Sequence, residues 1–483
     1  ILGTGSNCSY FDGKVLHQKV QSLGYIVMDD CSGNVLGKEL IRKYYFNKMP
    51  KELAIEFEKE YIVKINTKDT VKEFRYRKVE KLYDQVLLMV KNLLLQINKK
   101  NYKWGTLIGV RPSKLYRKFL EDGISHEEIK VIFKEIYLVS EEKIELLKKI
   151  VEKELKYLNN DKINIYVGIP FCPTKCKYCS FASYELKGLH GKSYSKFVDT
   201  LLEEVKLSGS FLKSNNYEIE SFYIGGGTPT TLKENDLEEI LKEIKENFDL
   251  SKMKEFTVEA GRIDTITYEK LEIMKKYGVQ RISINPQTFN EKTLKRVNRY
   301  FDKNQFDDIY RKAKEMGFLI NMDFIIGLPG ETTEDILYTL ENIKNYEIEN
   351  LTIHTLALKK ASNLFREGHV HEEINNVIIE EKINAITEEK KLKPYYMYRQ
   401  KNTAEWGENI GYSVEGKESL FNIQIIEESQ STFGLGGGAI TKYVFKNDKG
   451  DVEIERIVNP KDPIVYINEV KDRFDKKVRL FSK

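Results

Sequence analysis

The chain is 483 residues long, 41% hydrophobic and 31% charged, with 78 basic residues against 74 acidic ones and a formal net charge of +4. That length predicts two or three domains with a sizeable buried interior, and so small a net charge gives no overall footprint for nucleic acid. No apolar run is long enough to span a bilayer and no charged-then-apolar leader opens the chain, so the expectation is a cytoplasmic protein without a membrane span.

Residues 1–160 mix short apolar runs, "GYIVMDD" and "YIVKIN", with long stretches at helical spacing such as "KLYDQVLLMVKNLLLQINKK". They predict a separate N-terminal α/β or helix-rich module. Cys8 and Cys31 stand apart there and are expected to be ordinary thiols. In "WGTLIGVRPSKLYRKFLEDG" a Gly-Val-Arg-Pro turn signal precedes a helix starting at "PSKLYRKFL", and the stretch reads as a joining loop. "SEEKIELLKKIVEKELKYLNN" predicts an amphipathic helix capped by Ser140 and ending just before the next region.

Residues 161–358 have a different texture, apolar strands alternating with amphipathic helices. The candidate strands are "INIYVGI", "SFYIGGG", "EFTVEAG", "RISINPQ", "INMDFIIGLPG" and "NLTIHTLAL". Six β-then-α units in about 200 residues predict a parallel sheet with right-handed crossovers, closed or partly closed into a barrel. Chemistry in such a barrel collects at the C-terminal ends of the strands. Residues 359–483 are less regular and predict a C-terminal cap: a Glu- and Lys-rich helix, the aromatic run "PYYMYRQKN", then "FNIQIIEESQSTFGLGGGAITKYVF" and a final helix.

Immediately after the first strand, "PFCPTKCKYCSF" brings Cys172, Cys176 and Cys179, three of the chain's five cysteines, into eight residues. An odd, bunched count is no secreted disulfide framework and points to metal or redox chemistry. Three thiolates suit an iron-sulfur cubane, which then keeps one iron open for a small molecule. The competing reading is a zinc loop completed by a distant residue such as His190 or His354. After the second strand, "GGGTP" (Gly225 to Pro229) exposes backbone groups to any close ligand.

These motifs, the Cys-x3-Cys-x2-Cys loop after a first barrel strand and "GGGTP" after the second, resemble those of the radical S-adenosylmethionine (SAM) superfamily. Within it, "YVGIPFC", "YIGGGTPT", "TVEAG", "RISINPQTFN", "LKRVNR" and "INMDFIIGLPGET" resemble the oxygen-independent coproporphyrinogen III oxidase/dehydrogenase family, and "PYYMYRQKN" with "GLGGGAITK" its HemZ-type subgroup. The resemblance implies a partial (β/α)6 TIM-like radical SAM barrel. It implies that Cys172, Cys176 and Cys179 ligate a 4Fe-4S cluster, that Tyr178 packs near the SAM adenine, and that Gly226, Gly227 and Thr228 belong to the motif receiving the SAM amino group. Glu259, Gln287, Arg299, Asp323, Ala357 and Ile440 align with contacts to one SAM or two, and Tyr166 with a tyrosine near SAM that is given a catalytic place.

The implied activity is oxidative decarboxylation of two propionates of coproporphyrinogen III to vinyls, with a low-potential electron donor such as flavodoxin or ferredoxin. The alternatives are a heme-binding chaperone, or a heme ring-opening or methyl-transferring radical enzyme. A tetraanionic macrocycle calls for aromatic walls and Arg or Lys forks, for which Tyr395, Tyr396, Tyr398 and Arg399 are candidates, although the same run also suits packing of the cap onto the barrel. Three departures bear on substrate: Phe181 stands where the decarboxylating type member has a fourth cysteine, Gly168 where it has histidine, and "INPQ" replaces the family's commoner Gly-Val-Gln.

Overall fold

The computed structural model describes residues 102–482 apart from 108, 110, 159–160, 404–406, 449 and 451, together with residues 88, 91, 92 and 95 and five strands nearer the N-terminus. The chain forms two compact units, residues 1–109 with 115–148, and residues 110–114 with 149–483.

In the first unit Cys8–Phe11 pairs antiparallel with Leu16–Val20. Leu53–Phe57, Glu60–Asn66 and Val71–Arg77 form an antiparallel sheet whose middle strand carries the "YIVKIN" run. The "GYIVMDD" run, Cys31 and the side chain of Cys8 lie outside the described residues; of the long helical stretch that follows, residues 88, 91, 92 and 95 are helical. The helix His126–Val131 opens with a capping box, in which Ser125 Oγ accepts from the Glu128 amide and the Glu128 carboxylate accepts from the Ser125 amide. Tyr116, Phe119 and Tyr137 pack around the buried Phe133 ring. The expected helix at 141 runs over Glu141–Glu154. Ser140 precedes it, but the Ser140 hydroxyl makes no hydrogen bond, and it is the carbonyl of Ser140 that accepts from the Lys143 and Ile144 amides.

The second unit carries the alternation read from the sequence. Strands β1 (Ile163–Ile169), β2 (Ile219–Gly226), β3 (Glu255–Glu259), β4 (Arg281–Ser283), β5 (Leu319–Ile326) and β6 (Asn350–Thr355) are parallel neighbours in chain order. Helices α1 (Tyr194–Ser214), α2 (Glu234–Asn247), α3 (Tyr268–Lys276), α4 (Lys303–Glu315) and α5 (Thr333–Ile343) connect them, completing a partial TIM-like barrel. Side chains alternate across each strand. Along β5 this sends Ile320, Met322 and Phe324, all fully buried, to one face and the less buried Asn321, Asp323 and Ile325 to the other. Burying a side chain of that size stabilises the fold by about 1.5–3 kcal/mol.

The segment expected as a cap also extends the sheet at both edges. After α6 (Asn376–Glu389), strands β7 (Lys393–Arg399) and β8 (Glu408–Ser413) join antiparallel beyond β6. After α7 (Leu420–Glu427), β9 (Ser431–Gly436) inserts parallel to β1, and β10 (Ile440–Lys446) and β11 (Val452–Val458) follow antiparallel, before α8 (Pro463–Phe481). The eleven strands run β7-β8-β6-β5-β4-β3-β2-β1-β9-β10-β11. Gly168 pairs with Gly436 across β1 and β9. A Cβ on Gly168 would stand 2.4 Å from the Gly437 carbonyl oxygen, and one on Gly436, whose φ is +78°, would stand 2.3 Å from the Gly168 oxygen. The glycine at 168 thus follows from the close approach of the "GLGGGA" loop.

That loop is held from below by a buried carboxylate. Glu204 of α1 accepts from the Gly436 amide at 2.7 Å, the Tyr466 hydroxyl at 2.6 Å and Lys477 Nζ at 2.6 Å, and both Glu204 and Lys477 are excluded from solvent. Among the described residues no helix is long and apolar enough to cross a membrane.

Candidate functional site

The loop after β1 begins as a strand. Phe171–Cys172 pairs with Tyr184–Glu185, which fixes the first cysteine at the base of a crossing loop. The neighbouring "GGGTP" segment supports it: the Gly227 amide donates to the Ile169 carbonyl at 2.7 Å and the Thr228 amide to the Phe171 carbonyl at 2.8 Å. A Cβ on Gly227 would stand 2.5 Å from that Phe171 oxygen. The glycines here admit the cysteine loop itself, a structural reason beside the ligand-binding one. From the other side the Lys177 amide donates to the Val297 carbonyl, and the Lys177 carbonyl accepts from the Leu364 amide.

Cys172, Cys176 and Cys179 are unbridged and line one cavity of about 420 Å3. Burial pushes the Cys172 thiol above its ordinary range, against hydrogen bonds from Ser183 and Thr228 that lower it. Burial likewise pushes Cys179 up to about 11. These thiols are therefore neutral until a cation displaces their protons.

Two guanidiniums stand over the middle cysteine. Arg262 Nη1 is 3.5 Å from Cys176 Sγ and donates to the Thr174 carbonyl at 3.0 Å, while Nε and Nη2 bind both oxygens of Asp264 at 2.9 and 2.7 Å. Arg299 Nη1 is 3.9 Å from the same sulfur and 3.4 Å from the Tyr178 hydroxyl, and its Nη2 donates to the Gly261 and Asn285 carbonyls. Arg262 was not singled out in the sequence; its only signal is its place directly after the "EAG" that begins at Glu259, the last residue of β3.

The remaining lining follows the two-residue period of the strands. Tyr223, Gly226, Gly227 and Thr228 come from β2 and its end, Glu259 from β3, Asn285 and Gln287 from the end of β4, Asn321 and Asp323 from β5, and Ala357 from beyond β6. Glu259 accepts from the Tyr223 hydroxyl at 2.6 Å. Burial raises the Glu259 carboxyl to about 7, with Asp323 adding to the shift and the Tyr223 hydrogen bond opposing it. Asp323 accepts from Asn285 Nδ2 and Asn321 Nδ2. Gln287 has φ of +70°, and its buried Oε1 has no hydrogen-bond partner.

Two of the residues that the resemblance placed near SAM lie elsewhere. Tyr166 does not line the cavity; its ring stacks with Tyr223 and Phe421, at centroid distances of 6.1 and 6.0 Å. Ile440, the first residue of β10, is also absent from the lining and is 44% exposed. The aromatic run divides as a strand must. Tyr396 and Tyr398 line the cavity, whereas Tyr395 and Arg399 do not. Tyr395 packs with Tyr396 and Ile423. His354 lines the cavity with Thr352, Asn409, Ile425 and Ile426, while His190 packs at a tilt against Tyr184, away from the lining. Phe181 sits at the mouth, 68% exposed, with Lys359 Nζ 6.0 Å above its ring.

The residues fit a 4Fe-4S cluster with SAM. Three unbridged thiols ring one cavity, and among the described residues no three His, Cys, Asp or Glu side chains converge closely enough to hold a single ion. Gln287 Oε1 is an orphaned buried acceptor in the same lining, and the Glu259 and Asp323 carboxylates add acceptors for hydroxyls.

The family model of the radical SAM superfamily matches residues 166–343. The oxygen-independent coproporphyrinogen-III oxidase-like protein HemZ of Bacillus subtilis (strain 168) is 36% identical over 488 residues, 97% of this chain and 96% of that protein. The heme chaperone HemW of the same organism is 30% identical over 214 residues, 43% of this chain and 54% of HemW, so the chain matches about half the length of that relative. Among solved structures, the coproporphyrinogen III oxidase HemN from Escherichia coli, a radical SAM enzyme, shares the fold over 66% of this chain and 72% of its own, with a TM-score of 0.51 at 19% identity.

Proposed function

The chain belongs to the HemZ family of radical SAM proteins, and on that premise we propose that it oxidatively decarboxylates two propionates of coproporphyrinogen III to vinyls, giving protoporphyrinogen IX. The single observation that carries this reading is a continuous cavity. Its lining includes the three thiols and a row of strand-end acceptors together with Tyr396, Tyr398, His354, Ile425 and Ile426.

In this reading Cys172, Cys176 and Cys179 hold a 4Fe-4S cluster, which together with SAM supplies a hydrogen-abstracting radical when both are bound. Thr228 lies 3.4 Å from Cys172 Sγ and holds that side of the loop. Glu259, Gln287 and Asp323 accept from the hydroxyl and amino groups of SAM, and Arg299 holds Tyr178 beside the adenine. Because Glu259 titrates near 7, its acceptor role strengthens as pH rises through neutrality. Tyr396 and Tyr398 give the macrocycle an aromatic wall, and Lys359 at the mouth offers a cation to a propionate. Each vinyl formed would cost a propionate one β-hydrogen atom, carbon dioxide and one electron passed to an acceptor, and a low-potential donor such as flavodoxin or ferredoxin would supply the electron that the cluster-SAM pair needs.

The test is anaerobic. Reconstituted protein with SAM, a reductant and coproporphyrinogen III is expected to yield protoporphyrinogen together with 5'-deoxyadenosine. Deoxyadenosine without a vinyl product rejects the substrate, and tight heme binding without turnover points instead to a heme chaperone.

A further inference from the structure

His354 lies near the C-terminal end of β6 and reaches the tyrosine-lined part of the cavity. Its Nδ1 is 3.2 Å from Asn409 Oδ1 and 3.3 Å from the Tyr398 hydroxyl. The Asn409 amide cannot turn freely: its Nδ2 donates to the Tyr398 carbonyl at 3.3 Å and its Oδ1 accepts from the Thr355 amide at 3.3 Å. The oxygen therefore faces the imidazole and can only accept, so the tautomer that makes this hydrogen bond carries its proton on Nδ1, whereas the opposite tautomer would accept there from the Tyr398 hydroxyl and leave Asn409 Oδ1 facing a lone pair. The neutral ring then carries Nδ1–H and leaves Nε2 with its lone pair. A ring N–H tied to a carbonyl oxygen, with the second nitrogen unprotonated, is the state in which histidine ligates metals.

One imidazole does not make a metal site by itself. Among the described residues no group of three His, Cys, Asp or Glu side chains is close enough to hold an ion. An ion bound at His354 must therefore arrive with its other ligands already in place. Iron in a tetrapyrrole does so, with four equatorial nitrogens and an open axial position. The surroundings suit its macrocycle: the Tyr396 and Tyr398 rings, Ile425 and Ile426 share the lining with His354.

We propose that His354, oriented by Asn409, is an axial ligand to the iron of a tetrapyrrole bound against Tyr396 and Tyr398. The inference rests on the reading that a tetrapyrrole occupies this cavity, and it adds that the site distinguishes an iron macrocycle from a metal-free one. Heme bound in this way fills the space that coproporphyrinogen needs, so hemin competes with that substrate.

Hemin is titrated into the reconstituted full-length protein and followed by difference absorption, with iron-free protoporphyrin IX as the second probe. The wild type is expected to give a histidine-ligated Soret band. His354→Ala is expected to lose that band and to bind hemin about tenfold or more weakly, with little change in protoporphyrin IX affinity. Added imidazole restores the band in the variant, which separates a missing ligand from a damaged fold. Asn409→Ala weakens hemin binding while leaving His354 in place, and His371→Ala leaves the spectrum unchanged. The proposal is overturned if wild type gives no histidine-ligated spectrum, if His354→Ala keeps the wild-type spectrum and affinity, if imidazole restores nothing, or if His371→Ala removes the band. His354-dependent hemin ligation without decarboxylation would leave this inference standing and remove the substrate. Decarboxylation with an unaltered hemin spectrum in His354→Ala would do the reverse.

Discussion

Arg262 brings one guanidinium nitrogen to 3.5 Å from Cys176 Sγ while Asp264 grips its other two nitrogens. The side chain is 3% exposed, so its charge acts on the sulfur with little solvent screening. A cation so close to a thiolate favours extra electron density on whatever that thiolate ligates. Arg262→Lys keeps the charge but loses the fork on Asp264 and the bond to Thr174. The variant is expected to hold its cluster about 10- to 100-fold less tightly and to have a more negative midpoint potential. Iron and sulfide content and a potentiometric titration measure both; an unchanged potential with full iron would show that the guanidinium is only a strut.

Single replacement of Cys172, Cys176 or Cys179 by Ala should each abolish the visible absorption of the anaerobically reconstituted protein. The three thiols share one cavity, and a cubane held by two is labile. Retention of a full iron complement by any one variant would remove that cysteine from the ligand set.

Glu259 links stability to pH. Its carboxyl titrates near 7 in the folded chain against an ordinary value near 4.5. Between those values the unfolded chain loses its proton first, so stability falls as pH rises and levels off above about 7. Glu259→Gln removes this contribution, which is about 3 kcal/mol at most. Urea unfolding of the cluster-free protein at pH 5 and pH 8 should show a smaller loss across that range in the variant than in wild type.

Gly168→His installs the residue found in the decarboxylating type member. The new Cβ would meet the Gly437 oxygen, so the variant should be destabilised by about 1–3 kcal/mol or more. A lowered thermal midpoint with the cluster spectrum intact is the expected outcome; an unshifted midpoint would mean that the "GLGGGA" loop moves aside freely.

Lys477→Met leaves the Glu204 carboxylate buried without its cation, although Tyr466 and the Gly436 amide remain. Breaking one side of a buried pair costs about 3–5 kcal/mol. Glu204→Gln with Lys477→Met should recover part of that loss, as measured by urea midpoints of the single and double variants.

Much of the second unit was legible from residues alone, because its signals are local. Continuous apolar runs bounded by glycine and proline gave six parallel strands, and the spacing of three thiols on one loop limited the chemistry before any relative was considered. The strand period puts Asn321, Asp323 and Ile325 on one face of β5, and the structure turns that face to the cavity. The N-cap expected of Ser140 failed because capping depends on hydroxyl geometry, which a residue name does not carry.

What the sequence alone determined is therefore the parallel alternation, the cysteine loop and the glycine segment beside it, each fixed by residues close together in the chain. Only the tertiary structure decided that β7 and β8 extend one edge of the sheet and β9 the other, that Arg262 stands over Cys176, and that Tyr396 and Tyr398 line the cavity while Tyr395 and Arg399 do not. These depend on which distant strands pair and in which register, and a shift of one residue would turn each side chain to the opposite face.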